Sequence, residues 1–334
     1  MLNISKDTST LIKGVVIMMM LVVHLFNGSH IDLCTHWFHI GDAPLISWLS
    51  RACGPVPFFM LLSGYGLAYK YEGKGIRLID QLRRILRLYL HYWVILAVCL
   101  IVGYLLFPAK YPGSLRKVIV NMLGWDVTYN AEMWFLFPYC IISLFSMYII
   151  RAVEKVGNVW ALVISIGIMG CTSFLISRYG DFLFHNMTYY QPLLCFHLLQ
   201  PFVMGVVLRR TSLPLNRPMP QWLVLVLIAA LVLLTCVTHS SFRYILYVPL
   251  LVFLLCHIHW PQWLKAVLME LGRKSMTIWM IHTWLAFYLF TDQVYALRYP
   301  LVIFLGVLVA SYLLSIPVMW VAGKINGLIP DGKK

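Results

Sequence analysis

The chain alternates long apolar runs with short polar interruptions. Runs long enough to cross a bilayer, at roughly 17 to 25 residues each, occupy 8–27, 44–69, 88–107, 131–150, 158–177, 192–208, 221–238, 242–259, 273–291 and 299–322. Proline or histidine interrupts the fourth, sixth and eighth. The pattern predicts an all-α polytopic membrane helix bundle of about ten transmembrane helices. The stretches between runs are short and themselves carry apolar or aromatic residues, so 1–334 reads as one integral-membrane domain. No fixed-period repeat is visible, nor a matched pair of broken helices such as inverted-repeat transporters tend to carry.

The first run contains two ionisable groups, Lys13 and His24. Eleven residues apart on a helix, they fall within about 20° of one face and about 16 Å apart along the axis. The lysine can reach one interface while the imidazole stays in the hydrocarbon, where an ionisable group is expensive and usually functional.

Composition agrees with a membrane protein: 61% of the residues are hydrophobic, 11% are charged and mean hydropathy is +0.82, against about a quarter charged in soluble domains. Most of the 26 Lys and Arg residues collect on alternate loops, which by the positive-inside rule puts both termini in the cytoplasm. The formal charge of +14 is thereby explained as topology, and no nucleic-acid partner is called for. The first run lacks a small-residue cleavage site and reads as a retained helix. Eight cysteines stand singly with no CxxC pair, which supports neither a metal site nor a disulfide framework.

Candidate chemistry gathers in four places. Between 70 and 91, Asp80, Arg84, Arg87 and His91 are spaced to share a helix face with Arg83 beside them, a cationic stripe entering the membrane and suited to a phosphate-bearing ligand. The segment from Gly54 to Tyr65 opens with two prolines and ends in Ser63-Gly64-Tyr65. It reads as a proline-disrupted helix whose serine and tyrosine wall a ligand site, or as plain close packing of small residues. Glu132 and Trp134 open the fourth run near the outer interface, the former able to orient a hydroxyl or a histidine, the latter an interfacial anchor. In the ninth run Ser275, Trp279 and His282 share one face, which gives a second buried imidazole. His197, Gln200, His257 and His259 read as structural. A neutral His24 can act as base toward a hydroxyl or as a nucleophile, and both roles stay open.

Taken together these segments resemble the acyltransferase 3 family of integral-membrane O-acyltransferases. The likeness rests on Lys13 and His24; on Phe58, Phe59, Ser63, Gly64 and Tyr65; on Arg83, Arg84 and Arg87; on Trp134, Phe135 and Leu136; and on Leu271, Gly272, Ser275, Trp279 and His282, in that order. The resemblance implies transfer of an acyl group, most simply acetyl, from cytosolic acetyl-CoA or another acyl-CoA to a hydroxyl of a cell-envelope glycan or lipid-linked sugar. It implies a multi-pass protein of the bacterial inner (cytoplasmic) membrane, in contact with membrane lipid. His24 is the expected catalytic residue, supported by Glu132 and His282. Lys13, Ser63, Tyr65, Arg83, Arg84 and Arg87 are expected on the donor, and Trp134 and Trp279 on the acceptor. Lys13 stands where the family more often has arginine. The chain has no extra extracytoplasmic domain of the kind some relatives carry, so transfer is expected to finish within the membrane domain. A homodimer is compatible with this reading, and a transporter or exporter of polar envelope precursors is its alternative.

Overall fold

A computed structural model of the protein describes residues 4–211, 219–238, 240 and 242–327. Arg217, Lys333 and Lys334, which entered the orientation argument, lie outside the described residues. Helices α1 Lys6–Phe26, α2 Leu45–Ser50, α3 Pro55–Lys74, α4 Leu78–Leu106 and α5 Leu115–Met122 form the first half of the bundle. Then follow α6 Leu136–Leu144, α7 Ser146–Val156, α8 Asn158–His185, α9 Met187–His197 and α10 Leu199–Arg210. The last part comprises α11 Gln221–Val237, α12 Arg243–Cys256, α13 Gln262–Thr283, α14 Thr291–Tyr295 and α15 Pro300–Gly327. A two-residue hairpin (His39–Ile40 with Ala43–Pro44) is the strand pairing among the described residues.

Among the described residues six segments are long and apolar enough to cross a membrane: α1, α2 with α3, α4, α8, α9 with α10, and α15. A seventh is the pair Ala131–Leu144 and Ser146–Val156, bent by 61°. Helices α11 and α12 are shorter apolar pieces, and α13, which covers the start of the ninth run, carries Lys265, Glu270, Arg273 and Lys274 between its start and its middle turn. Each of the ten runs thus has a helical counterpart, but they are unequal in length. Of the two prolines in the sixth run, Pro192 is carried inside α9, whereas Pro201 lacks an N–H and its ring crowds the carbonyl of His197, so the chain breaks at Leu198 between α9 and α10. In the second run the prolines do not disrupt a helix; they start one. Pro55 occupies the first position of α3, where a missing N–H is no loss.

Two glycine crossings set the framework. A Cβ on Gly14 would collide with the Leu268 carbonyl, and one on Gly272 with the carbonyl of Thr10. Helices α1 and α13 therefore cross backbone to backbone, as small residues allow in membrane bundles. Gly64 and Gly205 do the same for α3 and α10, against Phe202 and Leu61. The two pairs of helices run parallel. At one end of the bundle, here the near end because α1 starts there, Arg209 pairs with Glu72 at 2.7 Å and Arg210 with Glu154 at 2.8 Å. The apolar side chains of α8 and α15, such as Val159, Phe174, Leu301 and Leu313, face outward. Their exposure matches a hydrocarbon surround.

Candidate active site

The glycine crossing fixes a register. His24 lies ten residues beyond Gly14, and His282 ten residues beyond Gly272. On parallel helices those equal steps end at the same depth, and the two imidazoles meet: His24 Nδ1 is 2.7 Å from His282 Nε2. The ring planes lie within 3° of parallel, with centroids 5.0 Å apart. His282 is fully buried, while His24 is partly exposed.

The remaining bonds of His282 assign the protons. Its Nδ1 lies 2.8 Å from the Trp279 carbonyl and 3.2 Å from that of Ile278. A carbonyl only accepts, so Nδ1 carries the hydrogen, and a neutral imidazole then has a lone pair on Nε2. That lone pair accepts from His24 Nδ1–H. The tautomer of His24 is thereby fixed, and its Nε2 is left as the basic atom.

A cavity of about 810 Å³ runs from the near end toward this pair, between α1, α3, α4 and α13. It falls within the range of sites for drug-sized ligands. Four cations line it, Lys6, Lys13, Lys70 and Arg84, with no acidic side chain among the described lining residues. Arg84 is aimed by two partners: it donates to Ser63 Oγ at 3.3 Å and to the Tyr139 hydroxyl. Lys70 also lies 3.6 Å from Asp80 outside the cavity wall. Trp279 closes the deep part beside Phe135, with ring centroids 5.4 Å apart. One helical turn separates Trp279 from His282, and neither His24 nor His282 is on the cavity wall itself.

The family match bears on this constellation directly. The family model for an acyltransferase domain of the acyltransferase 3 type matches residues 9–321, nearly the whole chain. The chain belongs to the acyltransferase 3 family. It is therefore a multi-pass membrane acyltransferase. No curated protein and no solved structure matches it.

Within this acyltransferase the expected residues separate. Lys13, Ser63, Tyr65, Arg84 and Trp279 line the cavity. The three residues of Ser63-Gly64-Tyr65 act differently. The serine holds Arg84, the glycine admits α10, and the tyrosine hydroxyl accepts the Ile4 N–H at 3.0 Å, fastening the start of the chain. Arg83 and Arg87 are not on the cavity. The face of α4 that enters it is Gln81, Arg84 and Leu88, while Asp80 pairs with Arg77 at 3.0 Å and the His91 ring bonds the Arg87 carbonyl at 2.7 Å. Glu132 accepts from the Tyr288 hydroxyl at 2.8 Å at the far end, in a segment tied beside His282 by Asn130 to Thr283 at 2.9 Å. Trp134 packs on Phe135 with centroids 6.1 Å apart, and Phe135, not Trp134, reaches the cavity. Reading by motif missed Gly14, Gln81 and Tyr139. Tyr139 lies one turn after Phe135, which is a usable signal; Gln81 has none beyond its spacing of three from Arg84.

Proposed function

We propose that the protein is an O-acyltransferase of the bacterial inner membrane. It moves an acyl group, most simply acetyl, from cytosolic acyl-CoA to a hydroxyl of a cell-envelope glycan or lipid-linked sugar. The observation that carries this reading is a cation-lined cavity whose wall residue Trp279 stands one helical turn from the oriented histidine pair. In it the near end faces the cytoplasm. Lys13 and Arg84 hold phosphate oxygens of the donor, Arg84 with its planar donors already pointed by Ser63 and Tyr139. The pantetheine arm then spans the roughly 16 Å from Lys13 to His24.

His24 Nε2 takes the proton of the acceptor hydroxyl as its oxygen attacks the thioester carbonyl. The carbon–sulfur bond breaks, the thiolate of CoA leaves, and the imidazolium returns its proton to the sulfur. Throughout, His24 Nδ1–H stays bound to His282, which keeps the basic nitrogen turned to the substrate. Surrounding apolar helices exclude water and protect the thioester from hydrolysis.

The test is CoA binding and acetyl-CoA turnover by the purified full chain in lipid nanodiscs. His24→Ala is expected to bind CoA as wild type does and to transfer nothing; Arg84→Ala is expected to lose binding. A wild-type chain that neither binds CoA nor consumes acetyl-CoA in the presence of envelope glycan overturns the reading.

A further inference from the structure

Gln81 is 1% exposed. It sits on α4 one turn before Arg84, and it lines the cavity. Its Oε1 is buried and has no hydrogen-bond partner among the described residues. A buried amide oxygen without a partner is costly, and native structures keep few of them. The neighbouring cations face other partners: Arg84 turns its Nη2 to Ser63 and Tyr139, and Lys70 lies beside Asp80.

We infer that Gln81 is a donor-specificity residue whose amide pairs with an N–H group of the bound acyl donor. This rests on the acyl-CoA reading above. A primary amide offers acceptor and donor atoms side by side, so it complements a ligand group with the reverse pair. An acyl-CoA carries N–H groups of two kinds: the secondary amides of the pantetheine arm, whose trans N–H can give a single bond to Oε1, and the amine edge of adenine, which presents the reverse pair side by side and which glutamine reads well in other settings. Simple cationic attraction does not tell an acyl-CoA from other phosphorylated metabolites. Gln81 adds that discrimination, since a ligand without the matching N–H leaves the amide unpaired.

The experiment measures affinity of the full chain, wild type and Gln81→Leu, for three probes: CoA, adenosine 3′,5′-bisphosphate and 4′-phosphopantetheine. Gln81→Met, unbranched and closer in shape, serves as the second variant. Both variants are expected to lose about 10-fold or more in CoA affinity while their thermal midpoint without ligand stays level or rises, because an unpaired buried amide has been replaced by an apolar side chain. A merely structural role predicts the opposite sign for the midpoint. Loss on 4′-phosphopantetheine but not on the bisphosphate assigns the arm amide; the reverse assigns adenine; either supports the inference. CoA affinity within twofold of wild type in both variants overturns it and leaves the acyl-CoA reading standing. If wild type binds none of the three probes, the acyl-CoA reading fails and takes this assignment with it.

Discussion

Replacing His282 by leucine isolates the proton assignment from everything else in the site. The substitution removes the lone pair that accepts from His24 Nδ1–H across 2.7 Å. The carbonyls of Ile278 and Trp279 sit inside α13 and lose only a side-chain bond, so the fold should survive. What changes is the equilibrium between the two neutral tautomers of His24. A hydrogen bond of this kind in a buried setting is worth about 1 to 3 kcal/mol when one partner is deleted. That bias, once lost, lowers the fraction of His24 with a free Nε2, and disorders the ring that carries it. The expected fall in turnover is thus roughly 5- to 150-fold, at 1.4 kcal/mol per factor of ten. Binding of CoA at the cavity should be unchanged. His282→Gln keeps an acceptor at similar reach and should recover about an order of magnitude over leucine. The assay is release of CoA from saturating acetyl-CoA in the presence of acceptor, with CoA affinity measured alongside. Turnover of His282→Leu within twofold of wild type refutes the reasoning, and so does a glutamine variant no better than the leucine one.

Gly272→Ala places a methyl group against the Thr10 carbonyl; a destabilisation of about 1 to 3 kcal/mol and loss of turnover are expected by thermal melts and CoA release, whereas Gly167→Ala, with open space around it, should be silent in both. Arg84→Lys keeps the charge but loses the planar fork held by Ser63 and Tyr139, so calorimetry should find CoA bound about 10-fold more weakly, against less than twofold for Arg83→Ala. Rapid quench of acetyl-CoA without acceptor should trap no acyl-histidine, as a His24 acting as base requires; a stoichiometric burst of labelled protein would assign it the nucleophile's role instead.

The helices were legible because apolar runs in a bilayer admit few alternatives. Where the reading slipped, the cause was three-dimensional. A spacing rule gave Asp80, Arg84, Arg87 and His91 one face, but the face of α4 on the cavity is the one rotated by a residue, with Gln81, Arg84 and Leu88, while Asp80 pairs with Arg77 just before α4. The bend between α6 and α7 has no proline at it; buried Ser143 and Ser146 flank Phe145 there, a weak sign in a sequence. Lys13, His24 and His282 were each visible as ionisable groups in apolar runs. Their relationship was not, since the bond between the histidines joins positions 258 apart and depends on the contact of Gly14 and Gly272, two residues with no side chain to notice.

That long separation also has a meaning for biosynthesis. His24 enters the membrane with the first helix, and its partner follows after 258 more residues, which at about 5 to 20 residues per second takes on the order of ten to fifty seconds. During that interval the nascent chain holds an imidazole with no fixed proton and an incomplete cavity, because the α13 wall, with Ser275 and Trp279, has not been made. Under the proposed function a partly synthesised chain is thus unable to activate a thioester, and the cell's acyl donors are safe from it until the last quarter of the protein is in place.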